Sequence, residues 1–305
     1  MSNTFARLSA APPLDRSALH SRHGKAVAQV LAAAALWGIS GVVARSLFQR
    51  AVEPTHLVQV RMLLGGLALL PVALARGGAR PSIQALPRVL AYALVLAAVQ
   101  LTYFEAIAAA GVAVAIFLQY TAPLLVAAWE AARARRLPPA PILIAQIVAI
   151  AGSALLVLPG GGVRVPLVGL AWGLASAFSF AGATIIGGSL LRRGTRATPL
   201  LAVGLTLGSL AFVPVRTPWH ALATIAAPDW PYFLYVALLA TALPFTLYAA
   251  ALASLSGSVA MLLAMLEPVL AAALAWTVLG EALAPMQLAG GALILCAIAL
   301  AVRAR

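Results

Sequence analysis

Two stretches decide the fold: YFEAIAAAGVAVAIFLQYTAP at 103–123 and YAAALASLSGSVAMLLAMLEP at 248–268. Tyr103, Ala106, Val114, Ala115 and Pro123 of the first recur in the second as Tyr248, Ala251, Val259, Ala260 and Pro268, each 145 positions later. Further out, Trp37-Gly38 and Trp172-Gly173 repeat at an offset of 135, and a ten-residue difference in loop length reconciles the two offsets. The chain is one apolar unit written twice.

The composition says where such a unit lives. Of 305 residues, 63% are hydrophobic and 9% charged, against about 45–50% and about 25% in soluble domains. No soluble fold hides that much apolar surface, and the low charge excludes a coiled coil or a disordered chain. The expected class is all-α, a polytopic membrane protein. Ten apolar runs reach the roughly 17–25 residues that a crossing needs: 27–48, 57–75, 88–109, 112–132, 140–158, 167–190, 198–215, 230–253, 257–279 and 286–302. They divide the chain into a loose tail (1–26), a first five-helix repeat (27–158) and a second (167–302). The tail lacks a cleavage-type segment and is not read as a signal peptide.

Charge orients the spans. With the N-terminus in the cytoplasm, fifteen Lys and Arg residues fall on the inner side, and only Arg50, Arg164 and Arg216 fall outside. This bias places both termini inside, in the cytoplasmic (inner) membrane. It also accounts for the net charge of +13 without nucleic acid. Five spans per repeat is an odd number, so the second repeat is expected to be inverted. Duplicated units of opposite orientation are a recurring build of secondary transporters, with substrate held between the repeats at mid-membrane.

Polar groups at depth must face protein or a water-filled cavity, and a charge there costs roughly 2.5–3.5 kcal/mol on insertion scales. Glu267 lies near the centre of the ninth run. Pro268 beside it removes a backbone donor and frees a carbonyl near Ala264. A carboxylate there can take a proton or a cationic substrate group; a protonated Glu bonded to a neighbouring helix is the alternative. Trp37, Gln100, Tyr103, Gln119, Tyr120, Trp172 and Tyr248 complete the candidate substrate-binding set, with helix packing as the alternative for the two Trp residues. Six of these, Trp37, Tyr103, Gln119, Tyr120, Trp172 and Tyr248, are expected to converge on one pocket between the repeats. Arg45, Arg61 and Glu105 share one membrane level near the outer ends of their spans, which suggests an ion pair with a structural or gating role. Glu130, beside Arg133, reads as an interfacial pair, and Glu281 as a solvated or capping carboxylate. The four His residues are scattered at ends and loops, so no metal site is read, and Cys296 is a packing residue.

The residues that carry the repeat also carry a resemblance. Ala-Leu-Trp-Gly (35–38), Val-Gln-Val-Arg (58–61), Leu-Glu-Pro-Val (266–269), Leu-Gly-Glu-Ala-Leu (279–283) and Ala-Gly-Gly-Ala (289–292) resemble the EamA-like group of the drug/metabolite transporter superfamily over about 26–302. One departure stands out: Arg136 occupies the position matching Glu281, where the family often has Glu. The resemblance implies movement of small metabolites, often amino acids.

The expected function is secondary transport of a small metabolite by alternating access, with export and proton coupling through Glu267 as the expected mode. The expected partners are a small-molecule substrate and the lipid bilayer, with no cofactor, and the oligomeric state is unspecified. An intramembrane enzyme or a non-transporting scaffold is the alternative. Paired Asp residues in spans, clustered zinc ligands and a deep His beside a nucleophile are all missing from the sequence, so no enzyme is read.

Overall fold

Lipid offers no water to a peptide group, so each apolar run closes its own hydrogen bonds as a helix. The computed structural model describes residues 16–75, 83–157, 165–279 and 283–303, and every regular element among them is helical. The first half contains α1 (Arg16–Gln49), α2 (Pro54–Ala75) and α3 (Leu86–Ala110). A span in two pieces follows, α4 (Val112–Gln119) and α5 (Ala122–Ala134), and then α6 (Ala140–Val157). The second half contains α7 (Leu167–Arg192), α8 (Ala197–Leu210) and a short connecting α9 (Pro218–Ala223). Its third span is a composite of α10 (Trp230–Ala237), a π-helical turn Leu238–Ala242 and α11 (Leu243–Ala251). A second split span, α12 (Gly257–Ala264) and α13 (Leu266–Leu279), precedes α14 (Pro285–Arg303).

Among the described residues, nine helical segments have the length and hydropathy of a membrane crossing. The seventh run is the exception: only Ala197–Leu210 is helical, and 211–215 form turns. At 1.5 Å per residue those 14 residues cover about 21 Å. Pro214 disfavours helical geometry at the residue before it, which ends the helix early. The tail expectation is corrected in the opposite direction. Helix α1 already runs from Arg16, because extending a formed helix costs far less than nucleating one. Glu281, the 160–162 glycines and the extreme termini lie outside the described residues.

The packing follows a pseudo-twofold plan. Helix α2 lies on α8 and α6 on α14, each pairing equivalent spans of the two halves. Helix α1 packs on α11 as α7 packs on α3, so each half sends its first span against the third span of the other. The α6–α14 pair is tight: a Cβ on Gly290 would meet the Gly152 carbonyl at 2.5 Å, so only glycine permits this approach. The breaks in the two split spans, at Tyr120–Thr121 and at Met265, fall at equivalent points of the repeat.

Candidate functional site

Proline places the first polar group of the site. Pro268 has no N–H, so the Ala264 carbonyl four residues earlier loses its helical partner. The Tyr120 hydroxyl sits 2.8 Å from that carbonyl and 2.7 Å from Oε2 of Glu267. Tyr103 reaches the other carboxylate oxygen from α3, its hydroxyl 3.4 Å from Oε1. Glu267 is 4% exposed and draws both contacts from the first half of the chain.

A second proline places the opposite charge. Pro244 opens the ladder at the π-helical turn in the same way, and the carbonyl it frees belongs to Ala240. Arg61 of α2 fills that vacancy: its Nη2 donates to the Ala240 carbonyl at 2.9 Å and its Nε to Thr241 Oγ1 at 2.7 Å. The guanidinium also lies over the Phe104 ring, 4.5 Å from its centroid, a favourable cation–π position.

Glu267 and Arg61 face one cavity without forming an ion pair. Trp37, Ser40, Val99, Gln100, Tyr103, Gln119, Phe180 and Phe245 complete its lining. It is narrow in this conformation, with about 30 Å³ free, room for a water or two. Trp37 is its aromatic hub, 5.0 Å from Phe245, 5.7 Å from Tyr248 and 6.4 Å from Phe180 between ring centroids. The Trp37 Nε1 and Gln100 Nε2 donors are buried and have no hydrogen-bond partner. Buried polar groups are normally paired, so both donors are available to a water or a ligand acceptor in the cavity they line together with Arg61.

Of the eight candidate substrate-binding residues, five line the cavity: Trp37, Gln100, Tyr103, Gln119 and Glu267. Gln119 is held there by donating to Ser176 Oγ at 2.7 Å. Tyr120 stands behind Glu267. Tyr248 stands behind Trp37, its hydroxyl 2.9 Å from Thr184 Oγ1. Trp172 does not reach the cavity. It lies in the second turn of α7, half-buried against the core, and Phe180 two turns deeper holds the aromatic position expected of it.

The expected ion pair of Arg45 and Arg61 with Glu105 is not formed. Arg45 donates to the carbonyls of Ile107 (2.8 Å) and Ala108 (3.5 Å). These belong to the last turn of α3, where unpaired carbonyls and the helix dipole favour a cation. Arg61 is committed to the carbonyl freed by Pro244. Carbonyls left open by helix ends and prolines thus outcompete the carboxylate for both arginines. Glu130 is corrected as well. It makes no pair with Arg133; its Oε1 accepts from the Gly257 N–H (2.9 Å) and its Oε2 from Ser258 Oγ (2.5 Å). A carboxylate on α5 therefore caps the N-terminus of α12 across the two halves.

Ser40, Val99, Phe180 and Phe245 escaped the sequence reading. Phe245 was within reach of it, since the 145-residue shift carries Gln100 onto it. Ser40 and Phe180 carry no signal that separates them from packing residues.

Comparison with known proteins places this geometry in a family. The model of the EamA-like transporter family matches twice, at residues 24–158 and 167–303. The inner membrane transporter YicL of Salmonella typhimurium is 29% identical over 285 residues, covering 90% of this chain and 94% of that protein. The transporter YwfM of Bacillus subtilis is 29% identical, covering 87% and 90%. The threonine/homoserine exporter RhtA of Escherichia coli is 32% identical over 215 residues, covering 69% of each chain. A solved crystal structure superposes with a TM-score of 0.72 at 18% identity, covering 90% of this chain and 96% of its own, which establishes a shared fold. The chain is a multi-pass membrane protein and belongs to the EamA-like transporter family.

Proposed function

We propose that the protein exports a small zwitterion of the amino-acid class across the inner membrane, with both termini cytoplasmic and Glu267 exchanging a proton during the cycle. One observation carries this reading: a carboxylate and a guanidinium face the same buried cavity unpaired. An α-amino acid presents the complementary pair, its ammonium toward Glu267 and its carboxylate toward Arg61. The idle donors of Trp37 and Gln100 suit the same carboxylate. Phe180, Phe245 and the Trp37 ring offer an apolar wall to a short side chain. The narrow free volume means that the walls part to admit a ligand, as alternating access requires. The relative RhtA, named for threonine and homoserine, points to the same substrate class.

The proton count at Tyr120 supports the coupling. Its hydroxyl has one hydrogen and two acceptors in reach, the Ala264 carbonyl and Glu267 Oε2. A protonated Glu267 satisfies both: it donates to the phenol oxygen while the phenol donates to the carbonyl. An ionised Glu267 must compete with the carbonyl for that hydrogen, or take an ammonium from the substrate in its place. Substrate and proton are thereby alternatives at one carboxylate.

The test is counterflow in proteoliposomes with a panel of labelled amino acids, their amides and their decarboxylated amines. Uptake of the intact zwitterions, with the amides and amines at least tenfold weaker, is expected. Equal transport of amides and amines would show that Arg61 does not read a carboxylate.

A further inference from the structure

We infer that the bundle end formed by α3, α5 and α7 carries a binding site for the headgroup of an anionic glycerophospholipid. A cavity of about 420 Å³ opens there, separate from the central one, and Arg88, Arg133, Arg192 and Arg193 all line it. The connectivity brings them to one membrane face. Helix α3 leaves that face with Arg88 in its first turn, and the α4–α5 span returns to it with Arg133 in its last. Helix α7 ends there with Arg192, and Arg193 follows. No carboxylate is among the lining residues. Glu130 is the nearest acidic residue in sequence to Arg133, and its oxygens are taken by Gly257 and Ser258 while it lines a different cavity. Both ion pairs among the described residues, Arg50–Asp229 and Arg216–Glu53, join other segments. Four guanidinium groups therefore share one recess with no counter-charge among the described residues.

Fixing span orientation requires basic residues near helix ends, but it does not require them to converge on a recess. The neighbouring cavity makes the contrast: there Arg136 shares its walls with Glu130. The remaining wall of the arginine cavity identifies the occupant as a lipid. Trp129, Ile185 and Ile186 line it, and Trp129 is 38% exposed. An indole at the bilayer interface beside aliphatic side chains suits the glycerol and upper acyl region. The arginine forks suit a phosphodiester, which they bind with two parallel N–H donors. Basic pockets between spanning helices on the cytoplasmic side are a known kind of headgroup site.

The experiment uses the full chain purified in mild detergent. Its lipid adducts are counted by native mass spectrometry after exposure to phosphatidylglycerol or phosphatidylcholine. A photoactivatable phosphatidylglycerol is then cross-linked to the unmodified protein and mapped by peptide. The expected result is at least fivefold preference for phosphatidylglycerol, with cross-links in 129–133 and 185–193. Arg133→Gln with Arg192→Gln should abolish the preference, while Arg135→Gln with Arg136→Gln should keep it. If the first double variant does not fold, the preference and the cross-link map of the unmodified protein still decide. Equal retention of the two lipids, or cross-links spread evenly along the spans, would overturn the proposal. So would loss of the adduct in millimolar inorganic phosphate, which would mark a site for free phosphate.

Discussion

The breaks in the two split spans occupy equivalent positions of the repeat and do different chemistry. In the first, Tyr120 ends α4 and points a hydroxyl across the interface. In the second, the residue equivalent to Tyr120 is Met265, and the charge sits at Glu267, whose own equivalent is Ala122. The proline is common to both, so the backbone geometry is duplicated while the side chains have diverged. A symmetric repeat would offer one such site toward each side of the membrane. This molecule instead builds its central cavity from both halves, with Glu267 from the second and Arg61 from the first. At the end of the split spans where α5 meets α12 it has a different device, the Glu130 cap on α12, whose equivalent position holds Ala275.

Glu267→Gln tests that division of labour most directly. Gln keeps size and hydrogen bonding but cannot trade a proton. Transport at neutral pH should fall by roughly a hundredfold, the lower range for loss of a positioned acid–base group, and its pH dependence should flatten. Expression and monodispersity should hold. Moving the carboxylate to the equivalent position, Glu267→Ala with Ala122→Glu, should restore no flux, because Ala122 lacks the Tyr103 and Tyr120 hydroxyls that hold Glu267. Restored flux in that swap would mean that the two breaks are interchangeable after all.

Arg61→Lys comes next. Lys retains the charge but not the fork that joins Thr241 and the Ala240 carbonyl. An ammonium that satisfies the carbonyl has little left for a ligand. The half-saturating substrate concentration should rise about tenfold, which corresponds to about 1.4 kcal/mol of lost binding. A change in maximal rate alone would reassign Arg61 to holding the π-helical turn.

These two residues also show what the sequence could disclose. Pro268 announced a free carbonyl near Ala264 because the i−4 rule is local, and the register of the repeat placed Glu267 beside it. The same rule applied to Pro244 names Ala240. What the rule cannot supply is the donor, which comes from α2, some 180 residues earlier. Partner choice across the halves is a tertiary matter. For that reason Arg45, Arg61 and Glu105 looked like an ion pair when ranked by membrane level alone. Five of the eight binding candidates line the cavity because buried polar side chains in lipid have few other places to face. The aromatic wall was harder to read, since Phe180 and Phe245 look like any other apolar residue of a spanning helix.

Glu130→Ala probes the opposite end. Removing the cap leaves the Gly257 N–H and the Ser258 hydroxyl without their acceptor, at a cost of about 0.5–2 kcal/mol. If the cap holds that end shut, a cysteine introduced at Thr184 in a Cys296→Ser background should react several-fold faster with a membrane-impermeant thiol reagent. Thr184 is a good reporter because its methyl lies under Gly257, 2.8 Å from where a Cβ there would sit. Unchanged reactivity would reduce the cap to a stability contact.

The smallest effect is expected at Trp172, and it separates position in the repeat from position in the fold. By sequence Trp172 and Trp37 are equivalents, so a purely symmetric reading gives them equal roles. Trp37 is 6% exposed, packs against three aromatic rings, lines the cavity and has a buried indole donor without a partner among the described residues. Trp172 is half-buried near the start of α7 and lines no part of the cavity. Trp37→Phe removes the indole donor and narrows the hub, so transport should fall by about tenfold, in line with the 1–3 kcal/mol attached to a lost buried hydrogen-bonding group. Trp172→Phe should leave flux within about twofold, since it changes packing volume at a partly exposed site. The decisive quantity is the ratio of the two losses, measured as initial rates at matched protein levels in the membrane. A ratio near one would mean that α7 brings Trp172 to the ligand in another state of the cycle, and the single-cavity account would have to become a two-cavity one.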